Sequence, residues 1–144
     1  MPKIKLTEAI PFSAQQMYDL VIDVDSYSTF LPWCDGSRRF RENKKKSNFV
    51  ADMNVSLKGA RVQFQTLDTY IDGEEIDIKL LSGPFKKLES VWKFIPVTDS
   101  SCTIDFYIDF NFKSRIMDMT IGSLFAVATR LMIRAFTERA KAIY

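Results

Sequence analysis

The sequence predicts an α+β domain: a curved antiparallel sheet of about seven strands around one long C-terminal helix, with two short helices after the first strand. Three observations predict it. From Ser37 to Lys113 apolar side chains recur at every second residue, in runs separated by short turn signals. From Ser114 to Tyr144 the chain has no Pro and one Gly, Gly122, so it can run as a single helix. Between Pro11 and Pro32 the pattern is helical and too short for more than two small helices. With 144 residues, 47% of them hydrophobic, the chain is expected to form one domain, residues 1–144, around one core.

Taken in order, Ile4 to Ile10 reads as a strand that Pro11 ends. Ser13 then caps a helix, with Gln16 placed to complete a capping box and with Phe12 and Met17 placed for a hydrophobic staple. This helix runs to about Val24. A second starts at Asp25-Ser26 and passes through Tyr27 and Phe30 until Pro32 closes it. Arg38 to Glu42 is a short strand, and Asn43-Lys44-Lys45-Lys46 a turn. In the next strand Phe49, Ala51, Met53, Val55 and Leu57 share one face. Lys58-Gly59 turns the chain, and Val62 and Phe64 then alternate with Arg61, Gln63 and Gln65 up to Tyr70. Asp72-Gly73 is a hairpin signal; Ile76, Ile78 and Leu80 resume the alternation, and Ser82-Gly83-Pro84 breaks it. Leu88, Trp92 and Phe94 mark a strand ending near Pro96. The last strand sets Cys102, Ile104, Phe106, Ile108, Phe110 and Phe112 against Thr103, Asp105, Tyr107, Asp109, Asn111 and Lys113.

Short turns between consecutive strands imply an antiparallel meander with one apolar face to cover. The last helix is long enough to cover it. Arg130, Arg134, Thr137, Glu138 and Lys141 fall on one side of this helix. Phe125, Met132, Phe136 and Ile143 fall on the other, flanked by Ala128, Ala135 and Ala140. The stretch Ile116 to Phe136 has the length of a membrane span, but Asp118, Arg130 and Arg134 inside it would be costly in hydrocarbon, so it is read as lying on the sheet.

Composition narrows the function classes. A net charge of +2 creates no global field toward nucleic acid, and no DNA partner is expected. There is no histidine, and Cys34 and Cys102 lack metal-ligand spacing, so no metal site and no general-base histidine are expected. The cysteines are read as reduced thiols. No serine elbow or phosphate-binding glycine loop is present, and Asp105 and Asp109 read as a solvated pair on a polar face, so the chain is expected not to be an enzyme. No signal or transit segment is recognised before Lys3-Ile4-Lys5-Leu6, and the expected location is the cytoplasm, including the inner face of the plasma membrane as a peripheral site.

Two features remain as candidates for binding. The stretch Tyr27-Ser28-Thr29-Phe30-Leu31-Pro32-Trp33-Cys34 gathers large apolar side chains where helix hands over to sheet. They either pack the helices onto the sheet rim or form the mouth of a cavity with Trp33 as an amphipathic lip. The run Arg38, Arg39, Arg41, Lys44, Lys45, Lys46 is the one basic cluster, either a solvated hairpin or a docking surface for anionic membrane or ribosomal RNA.

The first stretch resembles the Tyr-Pro-x-Phe-Leu-Pro-Trp-Cys signature of the coenzyme-Q-binding START-like family in the polyketide cyclase/dehydrase superfamily, which includes the bacterial ribosome association toxins; Ser28 stands where that signature has Pro. Gly83-Pro84-Phe85-Lys86-Lys87-Leu88 with Trp92 and Phe94, and Phe106-x-Ile108-x-Phe110-x-Phe112-Lys113-Ser114, resemble two further segments of it. The resemblance covers nearly the whole chain. It implies the helix-grip fold, as in START and birch-pollen-allergen proteins, and a hydrophobic small-molecule ligand, ubiquinone or a similar isoprenoid lipid, with no other cofactor. The implied role is a lipid chaperone supporting respiratory electron transport, in peripheral contact with the membrane or respiratory complexes. Its rivals are a toxin-like protein that binds the large ribosomal subunit and, last, a polyketide cyclase/dehydrase-like enzyme.

On this reading the ligand set is Tyr27, Phe30, Leu31, Pro32 and Trp33 at the mouth. Met53, Val55, Phe64, Leu80, Pro84 and Trp92 come from the middle strands. Phe106, Ile108 and Phe110 of the last strand face Phe125, Ala128, Met132 and Phe136 of the helix. An ordinary core explains any one of these residues; the recurrence of Gly122, Ala126, Ala128 and Ala135 along the helix argues for space between helix and sheet. Tyr27, Trp33, Tyr70 and Trp92 are the candidates for a polar headgroup.

Overall fold

The computed structural model describes residues 3–144. Seven strands form one antiparallel sheet: β1 (Lys3–Ile10), β2 (Cys34–Asn43), β3 (Asn48–Leu57), β4 (Ala60–Ile71), β5 (Glu75–Ser82), β6 (Phe85–Thr98) and β7 (Ser101–Phe112). Strands β2 to β7 follow one another as a meander, and β1 pairs with β7, so the sheet order is β1-β7-β6-β5-β4-β3-β2. Helix α1 (Ala14–Ile22) and a 3₁₀ turn (Val24–Thr29) link β1 to β2 at opposite edges of the sheet, and α2 (Arg115–Ile143) lies on its concave face.

The local signals act as the chemistry requires. Ser13 Oγ accepts from Gln16 N while Gln16 Oε1 accepts from Ser13 N, which completes the capping box and starts α1. Met17 is fully buried, whereas Phe12 sets its ring against Tyr144, at the far end of the chain. Lys58 and Gly59 both take positive φ in the two-residue turn between Leu57 and Ala60. Gly83 has φ +141°, and a Cβ there would come within 2.6 Å of Phe64 Cβ, so the β5–β6 corner needs glycine for conformation and for clearance.

Strand β2 begins earlier than expected, at Cys34 rather than Arg38, so Trp33 opens directly into the sheet. Helix α2 is long and apolar enough to cross a membrane by length and composition. Its placement is set instead by Asp118, which accepts from Phe112 N and Asn111 Nδ2 and ties the first turn to the end of β7. The buried stripe of α2 runs through Gly122, Phe125, Ala128, Thr129, Ile133, Phe136 and Ala140. Ile143, expected on that stripe, is 46% exposed in the last turn, whereas Ile133, about three turns earlier, is buried in it. Asp109 also departs from expectation. It is 1% exposed, not solvated, because Lys87 Nζ folds over it at 2.7 Å and holds its carboxyl below the usual range. Cys34 and Cys102 are free and buried.

Candidate functional site

Two aromatic clusters pin α2 to the sheet. Near its start, Phe125 packs on Phe85 and Phe110 with ring centroids 5.4 and 4.8 Å away, and Phe85 stacks on Phe112 at 4.5 Å. Eleven residues later, about 16 Å along the helix, Phe136 meets Phe30, Tyr27 and Trp92 at 5.3, 5.4 and 5.6 Å. Between the clusters the helix presents Ala128, Thr129 and Met132, which are too short or too flexible to fill the span. A cavity of about 110 Å³ results.

Tyr27, Trp33, Met53, Val55, Phe64, Trp92, Phe106, Ile108, Phe125, Ala128 and Met132, all expected from the sequence, line this cavity. Seven expected residues do not. Phe110 and Phe136 are fully buried in the two clusters that bound it, and Leu31 is buried in the core. Phe30 lies on Phe136 with the Arg139 guanidinium over its ring, and Pro32 is exposed. Leu80 is half-buried on β5 opposite Thr66, and Pro84 accepts from Lys113 N, closing the corner beside β7. The mouth motif therefore divides, with Tyr27 and Trp33 on the cavity wall and the residues between them packing the rim.

The headgroup candidates divide as well. Tyr27 spends its hydroxyl on the Val21 carbonyl, and burial raises its pKa well above the ordinary value. Tyr70 donates to Glu42 at the surface, 2.8 Å away. The polar groups that do line the cavity are Thr66, Asp68, Ser90 and Thr129, all buried, and none was singled out from the sequence. Thr66 Oγ1 donates to Asp68 Oδ1 at 2.6 Å. Burial pushes the Asp68 carboxyl up to about 7, against the opposing pull of that hydrogen bond and of Arg39. Ser90 Oγ has no partner among the described residues. The signal for them was parity: Thr66 and Asp68 continue the inward face of Val62 and Phe64, and Ser90 sits midway between inward Leu88 and Trp92. Among the described residues no cluster of three potential metal ligands occurs.

The basic run splits in the same way. Arg38, Arg41, Lys44, Lys45 and Lys46 are exposed on the β2–β3 hairpin. Arg38 reaches Asp52 at 3.8 Å, and its guanidinium and that of Arg41 lie 4.3 and 5.5 Å from the Phe40 ring. Arg39 is a correction to the docking set. It pairs with Ala51 in register, which turns it to the concave side, where it lies 4.0 Å over the Phe49 ring. There it donates to the Ile22 carbonyl and pairs with Glu42 at 3.3 Å, so it joins the end of α1 to the sheet rather than facing a partner.

A curved antiparallel sheet gripping one long C-terminal helix over an apolar cavity defines a START-like, helix-grip protein. The chain belongs to the polyketide cyclase/dehydrase and lipid transport family, whose description matches residues 10–137. It is 40% identical over 144 residues to the ribosome association toxin RatA of Escherichia coli K12, covering 100% of this chain and 90% of that one. It is 30% identical over 142 residues to the mitochondrial coenzyme Q-binding protein COQ10 homolog B of Xenopus laevis, covering 96% of this chain and 57% of that one. The solution structure of the 18 kDa protein CC1736 from Caulobacter crescentus superposes with a TM-score of 0.79 at 32% identity, covering 99% of this chain and 98% of that one.

Proposed function

We propose that this protein associates with the ribosome, through the large subunit, and acts there by binding rather than by catalysis. The observation that carries this reading is the end-to-end 40% identity with a ribosome association toxin. The β2–β3 hairpin supports it, because its exposed cations Arg38, Arg41, Lys44, Lys45 and Lys46 suit the phosphate backbone of ribosomal RNA. On this reading the protein works in the cytoplasm, where its partner is. The test is sedimentation with purified subunits on sucrose gradients across a salt series. Replacing Lys44, Lys45 and Lys46 with Gln is expected to weaken association and to lower the slope of log affinity against log salt by about 2, since each lost phosphate contact removes roughly 0.7–0.9. Failure of the parent protein to sediment with either subunit at low salt would sink the proposal.

A second reading, binding of a hydrophobic ligand such as an isoprenoid quinone, is favoured by the cavity. The 30% identity with a coenzyme Q-binding protein agrees with it. In this role the protein would take its ligand from a bilayer by partition, at little net hydrophobic gain, and would carry it to a membrane complex. At about 110 Å³ the cavity holds at most a ring-sized group, whereas sites for larger ligands span roughly 300–1,000 Å³. An isoprenoid tail would have to leave through the mouth at Tyr27 and Trp33 or push α2 from the sheet. Mass spectrometry of organic extracts from purified protein, beside a mock purification, tests this reading directly.

A further inference from the structure

We infer that the cavity contains a polar subsite, built by Asp68, Thr66 and Ser90, that selects a neutral single-ring molecule bearing a hydroxyl group. The inference rests on the second reading, that the cavity takes a ligand, and goes beyond it by stating what the cavity recognises. In register, Asp68 of β4, Ile78 of β5 and Ser90 of β6 lie side by side across the concave face. Two strand spacings put Asp68 and Ser90 about 10 Å apart at Cα, and both line the cavity together with Thr129 and Met132 of α2. Asp68 Oδ1 is used by Thr66, and Ser90 Oγ, on a residue 4% exposed, has no partner among the described residues. A buried hydroxyl without a partner is costly, and here it faces space rather than packed atoms.

The surroundings decide the class of ligand. Trp92, Phe106, Phe64 and Phe125 make the walls aromatic, which suits a flat ring. At about 110 Å³ the space is smaller than the roughly 150 Å³ of a dry cavity that takes benzene, so it admits one ring at most, and only as the flexible Met53 and Met132 side chains on its wall give way. The Asp68 carboxyl, pushed toward its neutral form by burial, offers an anion no counter-charge and a cation only a partial one. Neither ion would recover its hydration in walls this apolar. A neutral hydroxyl can donate to Asp68 and accept from Ser90.

The test uses the whole chain with its methionine methyl groups labelled with carbon-13, titrated with phenol and with toluene. Met53 and Met132 line the cavity and report occupancy. Both probes are expected to shift these two signals. The affinity of phenol relative to toluene is expected to fall about three- to ten-fold in Ser90→Ala, the worth of one neutral hydrogen bond. A fall is also expected in Asp68→Asn. Ser90→Ala removes an unpaired group, so it is expected to fold and to melt no lower than the parent. If toluene and phenol both bind and their ratio stays within two-fold in both variants, the subsite is refuted while the cavity reading stands. If neither probe shifts Met53 or Met132, both are refuted. Ribosome association is read by sedimentation and is decided separately from either result.

Discussion

Asp68→Asn isolates the cost of keeping a carboxyl in an apolar cavity. The parent side chain is 3% exposed, and burial carries its pKa from 3.8 to about 7. Because the folded value lies above the unfolded one, the folded state holds the proton more tightly between these limits. Stability is therefore greatest below about pH 4 as far as this group is concerned, and falls as pH rises toward 7. The slope is about 1.4 kcal/mol per pH unit, so the interval amounts to about 4 kcal/mol, an upper bound that relaxation around the carboxylate reduces. Asparagine keeps the size and can accept from Thr66, but cannot ionise. The variant is expected to match the parent within about 1 kcal/mol near pH 4.5 and to exceed it by about 2–4 kcal/mol at pH 8. Urea unfolding of both proteins at intervals of half a pH unit measures this. Groups such as Asp109, held in the ionised form by Lys87, contribute with the opposite sign but equally in both proteins. They cancel in the difference. A stability difference that stays flat from pH 5 to 8 would refute the placement of Asp68 in a dry cavity.

Two further predictions concern packing along α2. Phe136→Ala removes a fully buried ring that touches Tyr27, Phe30 and Trp92; a loss of about 3–5 kcal/mol in denaturant unfolding is expected, and a loss below 1 kcal/mol would mean that this end of the helix is not seated as described. Ala128→Leu adds three carbons beside the 110 Å³ cavity, so it is expected to raise stability by about 1–2 kcal/mol and to exclude toluene, whereas a marked destabilisation would mean that the space is already filled.

The sequence by itself determined the elements and their faces. The capping box at Ser13, the turns at Lys58-Gly59 and Asp72-Gly73, and the alternation from Cys102 to Phe112 are local: each depends on residues within one or two turns of chain, and each appears where its pattern placed it. The same local logic made most of the cavity wall legible, because strand parity and helix face assign inward residues without knowledge of their neighbours. Tertiary structure decided what those residues meet. That β1 closes on β7, that Lys87 shields Asp109, and that Arg39 turns inward against Phe49 all follow from pairings between distant segments. Phe110 and Phe136 were correctly placed on inward faces, yet they bound the cavity instead of lining it, because Phe112 and Phe125 close on the first ring and Tyr27, Phe30 and Trp92 close on the second. Thr66, Asp68 and Ser90 show the division most directly. Parity turns each of them toward the core, where a polar side chain is expensive, but only the register of β4, β5 and β6 brings Asp68 and Ser90 into one row, with Thr66 two residues along β4. Periodicity is a property of the local backbone and can be read in one dimension, whereas a site made from several strands exists only once their register is set.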